Sequence, residues 1–306
     1  MLQYLSSTAS DPHIASNDHI KNGQWIRCER PDEAERDELV ALGLDADLIA
    51  DALDPHEVPR IEQSDGVLYF ITRVPDVGDA FNSFTTPIMF ALTDDHLITL
   101  SRDSLGRLWQ PFIDSQRIAT SKHRQLLLLM LDMISQQYYS RVAAINRQTR
   151  AATSDLGALG SRDIATLVEY ERKLNDYLDA LIPANTATEK LLSGKFLRLA
   201  EDDKDLVEDL SIDLEQVIVR CKSLLRTITN VRDSYRAVMD TRLNETIRLL
   251  TVITLAVTIP TMISGLFGMN VALPSVVENP DMFWAIAGVS ILVSIALVYY
   301  FLRKRP

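Results

Sequence analysis

Hydrophobic and polar positions follow three rhythms along these 306 residues. Up to about residue 120, short β-branched and aromatic runs alternate with acidic segments of helical character. The runs at Gln24–Glu29, 67–74, 88–92 and 96–100 read as strands, the last two joined by a turn at Thr93-Asp94-Asp95. Pro31 opens a helix through Asp32, Glu33 and Glu35, because proline suits a first helical turn and acids suit its positive end. A second short helix covers residues 45–54. From about Ser121 the rhythm is helical and stays so. Residues 122–156 hold neither Gly nor Pro, and the apolar run at 126–131 is too short to span a bilayer, which makes it a buried packing surface. Gly157 and Gly160 break this helix; Ser161 caps the next, which is expected to end near Ile182, before Pro183, giving an antiparallel pair. Between Gly194 and Pro260 there is neither glycine nor proline. One helix is therefore expected from about Glu201 into the apolar region beyond, and a helix of that length needs partners along its sides.

The third rhythm is apolar. Residues 249–267, LLTVITLAVTIPTMISGLF, carry no charge and at 1.5 Å per residue make roughly 28 Å of helix, the thickness of a bilayer's hydrocarbon core. A second apolar span covers 283–302, with Trp284 near one end and Tyr299 and Tyr300 near the other. The aromatic residues fit the two membrane interfaces. The tail Arg303-Lys304-Arg305, together with Arg242 and Arg248 ahead of the first span, fits the cytoplasmic side. Both termini are then expected in the cytoplasm, and the N-terminal residues lack the basic-then-apolar pattern of a cleaved leader. The segment between the spans would lie outside, where Glu278 and Asp281 would concentrate cations at a mouth. The expected fold class is an α+β cytoplasmic domain followed by a long stalk helix and two C-terminal transmembrane helices. Its parts are a cytoplasmic α/β domain (1–120), cytoplasmic antiparallel helices (121–200), the stalk (201–248), a first transmembrane helix (249–267), an external loop (268–282), a second transmembrane helix (283–302) and a basic cytoplasmic tail (303–306).

The first span carries a stripe that an anchor does not need. Thr251, Thr254, Thr258 and Thr261 are spaced by three, four and three, which places their hydroxyls on one helical face. Two readings stay open: each hydroxyl bonds back to a carbonyl one turn earlier, or the stripe is a polar face turned towards a pore or neighbouring helix. The same steps lead back through Ile247, Asn244, Asp240, Ala237 and Asp233, from hydroxyl to apolar to amide and carboxylate. Carboxylates on a shared inner face of a symmetric oligomer repel unless water or cations lie between them, and an axial water-filled path would supply both. Pairing of Asp233 and Asp240 with Arg226, Arg232, Arg236 or Arg242 on the helix surface is the other reading.

Composition and charge narrow the chemistry. The net charge is -11, yet from residue 249 onward Glu278 and Asp281 face Arg303, Lys304 and Arg305, so the preceding residues carry all of the negative excess. So acidic a soluble part disfavours nucleic acid as a partner and favours cations. The run Glu201, Asp202, Asp203, Asp205, Glu208, Asp209, Asp213 and Glu215 is either a solvated face or a set of oxygen ligands for hard divalent cations. Cys28 and Cys221 stand far apart, forming no metal motif and implying no disulfide framework. His13, His19, His56, His96 and His123 are scattered, as ordinary surface or turn residues would be. With no glycine-rich phosphate loop and no nucleophile elbow, an enzyme has no support.

The run Asn244-Glu245-Thr246-Ile247-Arg248-Leu249-Leu250-Thr251, then Pro260-Thr261, Gly265 and Phe267-Gly268-Met269-Asn270, resembles the membrane-proximal signature of the CorA family of magnesium transporters, whose hallmark is Gly-Met-Asn between two C-terminal spans. Phe267 stands where that family more often has tyrosine. The resemblance is dense over residues 225–306 and looser earlier, at Asp54, Glu57, Pro59 and Arg60 and at Asp94-Asp95-His96. It implies a funnel-shaped homopentamer in the plasma (inner) membrane, passing Mg2+ inward, with Co2+ or Ni2+ tolerated. In it Asn270 would form the outer ring that meets the hydrated ion, Gly268 would let the backbone turn tightly, and Met269 would pack to hold the loop. Thr261, Thr258 and Thr254 would contact water further in, with Thr251 on the same face. Ile247 and Leu250 would form a hydrophobic constriction, and Asn244 and Asp233 a wider inner path. The resemblance also implies regulation by internal Mg2+, with Asp209 on the stalk and Asp94 or Asp95 in the α/β domain as ligands. A zinc transporter of the same superfamily and a non-conducting membrane-anchored scaffold or sensor are the alternatives.

Overall fold

The computed structural model describes residues 1–7, 14–17, 19–75, 84–114, 119–153, 159–197, 199–269 and 280–303. It divides into two compact units, Met1–Val231 and Arg232–Pro306.

The first unit is built on a seven-stranded mixed sheet of β1 (Leu2–Ser6), β2 (Ala15–Asn17), β3 (Gln24–Glu29), β4 (Arg60–Ser64), β5 (Val67–Pro75), β6 (Thr85–Leu92) and β7 (His96–Ser101), in the order β2-β1-β3-β7-β6-β5-β4. All pairs are antiparallel except β3 with β7. Every residue of β5 is buried, a pattern that requires cover on both faces of the sheet. One face packs Tyr69, Ile71, Met89 and Ile98 against Leu39 of helix α1 (Glu33–Ala41) and Leu48 and Ile49 of α2 (Ala46–Ala52). The other packs Leu68, Phe70, Phe90 and Leu97 against α3 (Gly106–Asp114), α4 (His123–Ala152), α5 (Ser161–Leu192) and the first part of α6 (Glu201–Phe267). Trp25 and Trp109 meet edge to face at 5.3 Å in this second layer, and the Trp25 indole donates to Thr99 Oγ1 at 2.9 Å.

Local chemistry explains the element ends. Asp32 is the N-cap of α1: its carboxylate accepts from Glu35 N at 2.8 Å and its own N–H donates to the Glu35 carboxylate. Pro31 thus sits one residue before the cap and not in the first turn. Strands β4 and β5 are joined by Asp65-Gly66, both with positive φ (48° and 83°), the two-residue turn whose twist matches a hairpin.

Two expectations about α5 are corrected. Gly160, not Ser161, is the N-cap, its N–H donating to Asp163 Oδ2 at 2.9 Å. The helix also does not stop before Pro183 but runs through it to Leu192. Ala180, Leu181, Ala184, Ala187, Thr188 and Leu191 are buried on both sides of the proline, and their shared apolar face outweighs one missing backbone hydrogen bond. The run at 126–131 is buried as expected, apart from half-buried Leu129.

The second unit consists of the remainder of α6, which is continuous through residue 231, and of α7 (Pro280–Arg303). Both helices are long and apolar enough to cross a membrane, and few residues of their apolar stretches are covered by protein. The covered positions of these apolar stretches form one stripe each: Arg248, Val252, Ala256, Ile259, Pro260, Ile263 and Phe267 on α6, and Ile286, Ala287, Ser290, Ser294, Leu297 and Val298 on α7, where the two serines are the most deeply covered. Small side chains on α7 suit close helix approach in lipid. Arg248 Nη2 donates to the carbonyl of Phe301 at 2.8 Å, tying one end of the pair.

Candidate ion path and acidic cavity

The threonine face is decided by helical geometry. Thr254, Thr258 and Thr261 each follow Val252, Ala256 and Ile259 by two residues, which is about 200° round the helix. They therefore lie across α6 from its covered stripe. Thr251 is exposed as well, and so are Ile247 (52%) and Leu250 (65%), Asn244, Asp240, Ala237 and Asp233. The whole face traced through the sequence is free of cover within one chain, and a shallow groove along it is lined by Thr254, Thr258 and Thr261 with their apolar neighbours.

The threonine protons do go back to the helix. Thr251, Thr254, Thr258 and Thr261 donate to the carbonyls of Ile247, Leu250, Thr254 and Val257 at 2.7–2.8 Å. The two readings of the stripe are thereby compatible, because a hydroxyl with its proton committed still has lone pairs to offer. What the face presents is a column of acceptors. Lower down, Asp233 approaches Arg236 at 3.8 Å, an exposed and weak pair of the kind the surface reading anticipates. No partner is recorded for Asp240 among the described residues.

At the far end of the span, Gly268 N donates to Ser264 O at 3.0 Å, so this glycine continues the last helical turn with an ordinary negative φ. A Cβ there would stand 3.4 Å from Ser264 O. Met269 is 54% exposed. Asn270 and Glu278 lie outside the described residues, as do Lys304 and Arg305 of the basic tail. Asp281 is exposed in the first turn of α7, where its charge complements the helix dipole.

In the first unit, Asp94 and Asp95 sit exposed on the β6–β7 turn, which is closed by Thr93 N donating to His96 O at 3.0 Å; Asn22 Nδ2 donates to Asp95 Oδ1 at 3.3 Å. Asp209 is exposed on α6. The acid of α6 that shares a cavity with Asp94 is instead Asp203, in a space of about 580 Å³ also lined by Lys122, His123 and Arg124. Asp203 is 6% exposed and its Oδ1 has no hydrogen-bond partner. Sequence reasoning placed it in an acidic run but had no means of singling it out. His96, at the β6–β7 turn as a turn residue would be, and nearby His123 are both half-buried, with unpartnered Nδ1 and Nε2 respectively. Burial lowers the pKa of both rings; Asp95 opposes the shift at each. Among the described residues no group of three or more His, Cys, Asp or Glu is arranged to hold a metal ion.

A profile described as CorA-like Mg2+ transporter protein matches residues 21–305. The chain belongs to this CorA-like family. It is 24% identical over 293 residues to the cobalt/magnesium transport protein CorA of Methanocaldococcus jannaschii, covering 92% of this chain and 90% of the relative. The complete structure of the CorA magnesium transporter from that organism superposes with a TM-score of 0.84 at 20% identity, over 100% of this chain and 98% of that one. The ZntB cytoplasmic domain from Vibrio parahaemolyticus gives 0.66 at 14% identity, over 78% of this chain and 98% of that one. The fold is CorA-like: an α/β soluble part, a long helix and two apolar C-terminal helices, the plan of a membrane protein.

Proposed function

We propose that this chain forms a homopentamer in the plasma (inner) membrane, with both termini cytoplasmic, that admits Mg2+ and tolerates Co2+ or Ni2+. The relative over nine-tenths of the chain is named for cobalt and magnesium transport. The observation that carries the reading is the bare threonine column on the side of α6 turned away from its covered stripe. Mg2+ sheds its water reluctantly, and a hydrated cation presents O–H groups outward. A ring of donors would meet it badly. Hydroxyls already committed as donors to the backbone meet it with acceptor lone pairs, and five copies would line the axis with them. Ile247 and Leu250, on the cytoplasmic side of this column, would close the path by dewetting, with Asn244 and Asp233 in the wider entry beyond.

Control by internal Mg2+ is part of the proposal, and the ion must bind the closed arrangement more tightly than the open one. Asp94, Asp95 and Asp209 are its proposed ligands. Asp203 joins them because a buried carboxylate oxygen without a partner suits a hard cation. One chain lacks a complete ligand cluster among its described residues, so a neighbouring copy would complete it.

Flux into proteoliposomes, with Mg2+, Co2+ and Zn2+ compared with and without a proton gradient, tests the reading. Mg2+ entry without the proton gradient, lost in Asn270→Ala while the oligomer stays assembled, is the expected result. Zinc uptake that exceeds magnesium and needs protons would replace it with the zinc reading, and no flux at all with a non-conducting scaffold.

A further inference from the structure

A second polar recess lies within the first unit, between α4 and α6, and uses none of the residues assigned above. It measures about 230 Å³ and its polar lining is Asn146, Thr149 and Arg150 of α4 with Arg220, Ser223 and Thr227 of α6. Steps of three and four along each helix bring these side chains to one seam. Arg220 is steadied over the ring of Tyr139, 4.6 Å from its centroid. Neither arginine pairs with an acid among the described residues, although the chain has 42 Asp and Glu.

Thr149 supplies the independent observation. Every other threonine in the described helices donates its hydroxyl proton to the carbonyl four residues back. Thr149 is 1% exposed, and its Oγ1 has no partner. A buried hydroxyl left this way costs free energy unless a ligand completes it.

We propose that the recess binds a phosphate group, free or as the monoester of a small soluble molecule. Guanidinium forks match phosphoryl oxygens bidentately, and both formal charges lining the recess are positive. Thr227 has committed its proton to the carbonyl of Ser223 at 3.0 Å, so Thr149, Ser223 and the Asn146 amide are the neutral donors that remain. The volume falls below that of pockets for drug-sized ligands, which limits the occupant to a small anion or ester. The sign of the charge separates this site from the cation sites proposed above.

The test is calorimetric titration of the full chain in phosphatidylcholine nanodiscs with inorganic phosphate and with glycerol 3-phosphate. Saturable binding is expected, weakened about tenfold by Arg150→Gln. Thr149→Val should also weaken it while leaving the thermal midpoint without phosphate unchanged or raised, since it removes a hydroxyl that has no partner in the protein. Absence of saturable binding to the unmodified protein overturns the proposal, as does binding that both variants retain. Discs containing phosphatidic acid separate the sources: undiminished phosphate binding supports a soluble ligand. Phosphate binding abolished in those discs would hand the site to a lipid headgroup and overturn the soluble-ligand assignment.

Discussion

Arg248 of α6 donates to the main-chain carbonyl of Phe301, 53 residues away, at 2.8 Å. That carbonyl belongs to the last turn of α7, where the helix has no backbone donor left to satisfy it and its dipole is negative. The contact is a charge-assisted C-cap supplied by a neighbouring helix. Arg248→Met should cost about 1–2 kcal/mol, seen as a lower thermal midpoint of the detergent-solubilised protein, and Arg248→Lys should recover part of it. Equal midpoints for all three proteins would show that the contact does not hold the pair together.

The threonine column allows its structural and conducting roles to be separated. A valine at Thr254 or Thr258 removes a hydroxyl whose proton bonds a carbonyl at 2.7–2.8 Å that already has its helical partner, so folding should change little. Acceptors for a hydrated ion are lost at the same time. Thr254→Val with Thr258→Val should lower Mg2+ flux roughly tenfold with assembly unaltered on size exclusion, and the serine pair should keep most of it. Full flux through the valine protein would leave the hydroxyls as helix ornaments only.

Arg73 is buried near the end of β5, and three backbone carbonyls accept from it. Its guanidinium donates to the carbonyls of Pro55, Glu57 and Thr85 at 2.8–2.9 Å and to Thr85 Oγ1, while Tyr138 donates to its own carbonyl at 3.0 Å. Burial pulls its pKa down, yet a guanidinium remains charged. Arg73→Met leaves those carbonyls without partners and should destabilise the first unit by about 2–4 kcal/mol in a denaturant titration. A loss below about 0.5 kcal/mol would mean that water replaces the guanidinium there.

Strands β3, β5, β6 and β7 were legible in the sequence because they are covered on both faces, so every position had to be apolar or hydrogen-bonded. Edge strand β4 was not, because Ile61 is its only buried residue among polar neighbours, although Asp65-Gly66 was a usable hairpin signal. Strand β2 offers three residues and no apolar alternation. In the site, the threonine face was readable from spacing alone. Asp203 and Thr149 were not, since each matters through what another element places across from it: the β6–β7 turn for Asp203, and α6 for Thr149.

Pro183 shows the limit of a local rule. Proline removes the N–H that would bond to the carbonyl of Asp179, yet α5 continues through it on the strength of its buried face. If packing alone carries the helix past this point, Pro183→Ala restores the bond and improves propensity. The variant should be more stable by about 1–3 kcal/mol with unchanged helical content. A less stable variant would mean that the half-buried proline ring is itself needed for packing.

The pair His96 and His123 sets a pH dependence whose sign follows from burial. Both rings have pKa values lowered from 6.5, first by desolvation, with Asp95 opposing at each and, at His96, a hydrogen bond involving the Gln24 backbone; at His123 the charge of nearby His96 adds to the lowering. The unfolded chain therefore binds more protons than the folded one in the window just below 6.5. Stability from this source is complete above that value, declines as pH falls through it, and levels off below the folded-state pKa values. Melting midpoints taken from about pH 7.5 to about pH 5.5 should fall, and His96→Gln with His123→Gln should flatten the slope in that window while leaving the carboxylate-driven loss at lower pH. An unchanged slope in the double variant would place the dependence elsewhere. A slope of opposite sign would mean that the rings gain a partner for their charged form, for which Asp95 and Asp203 are the acids at hand.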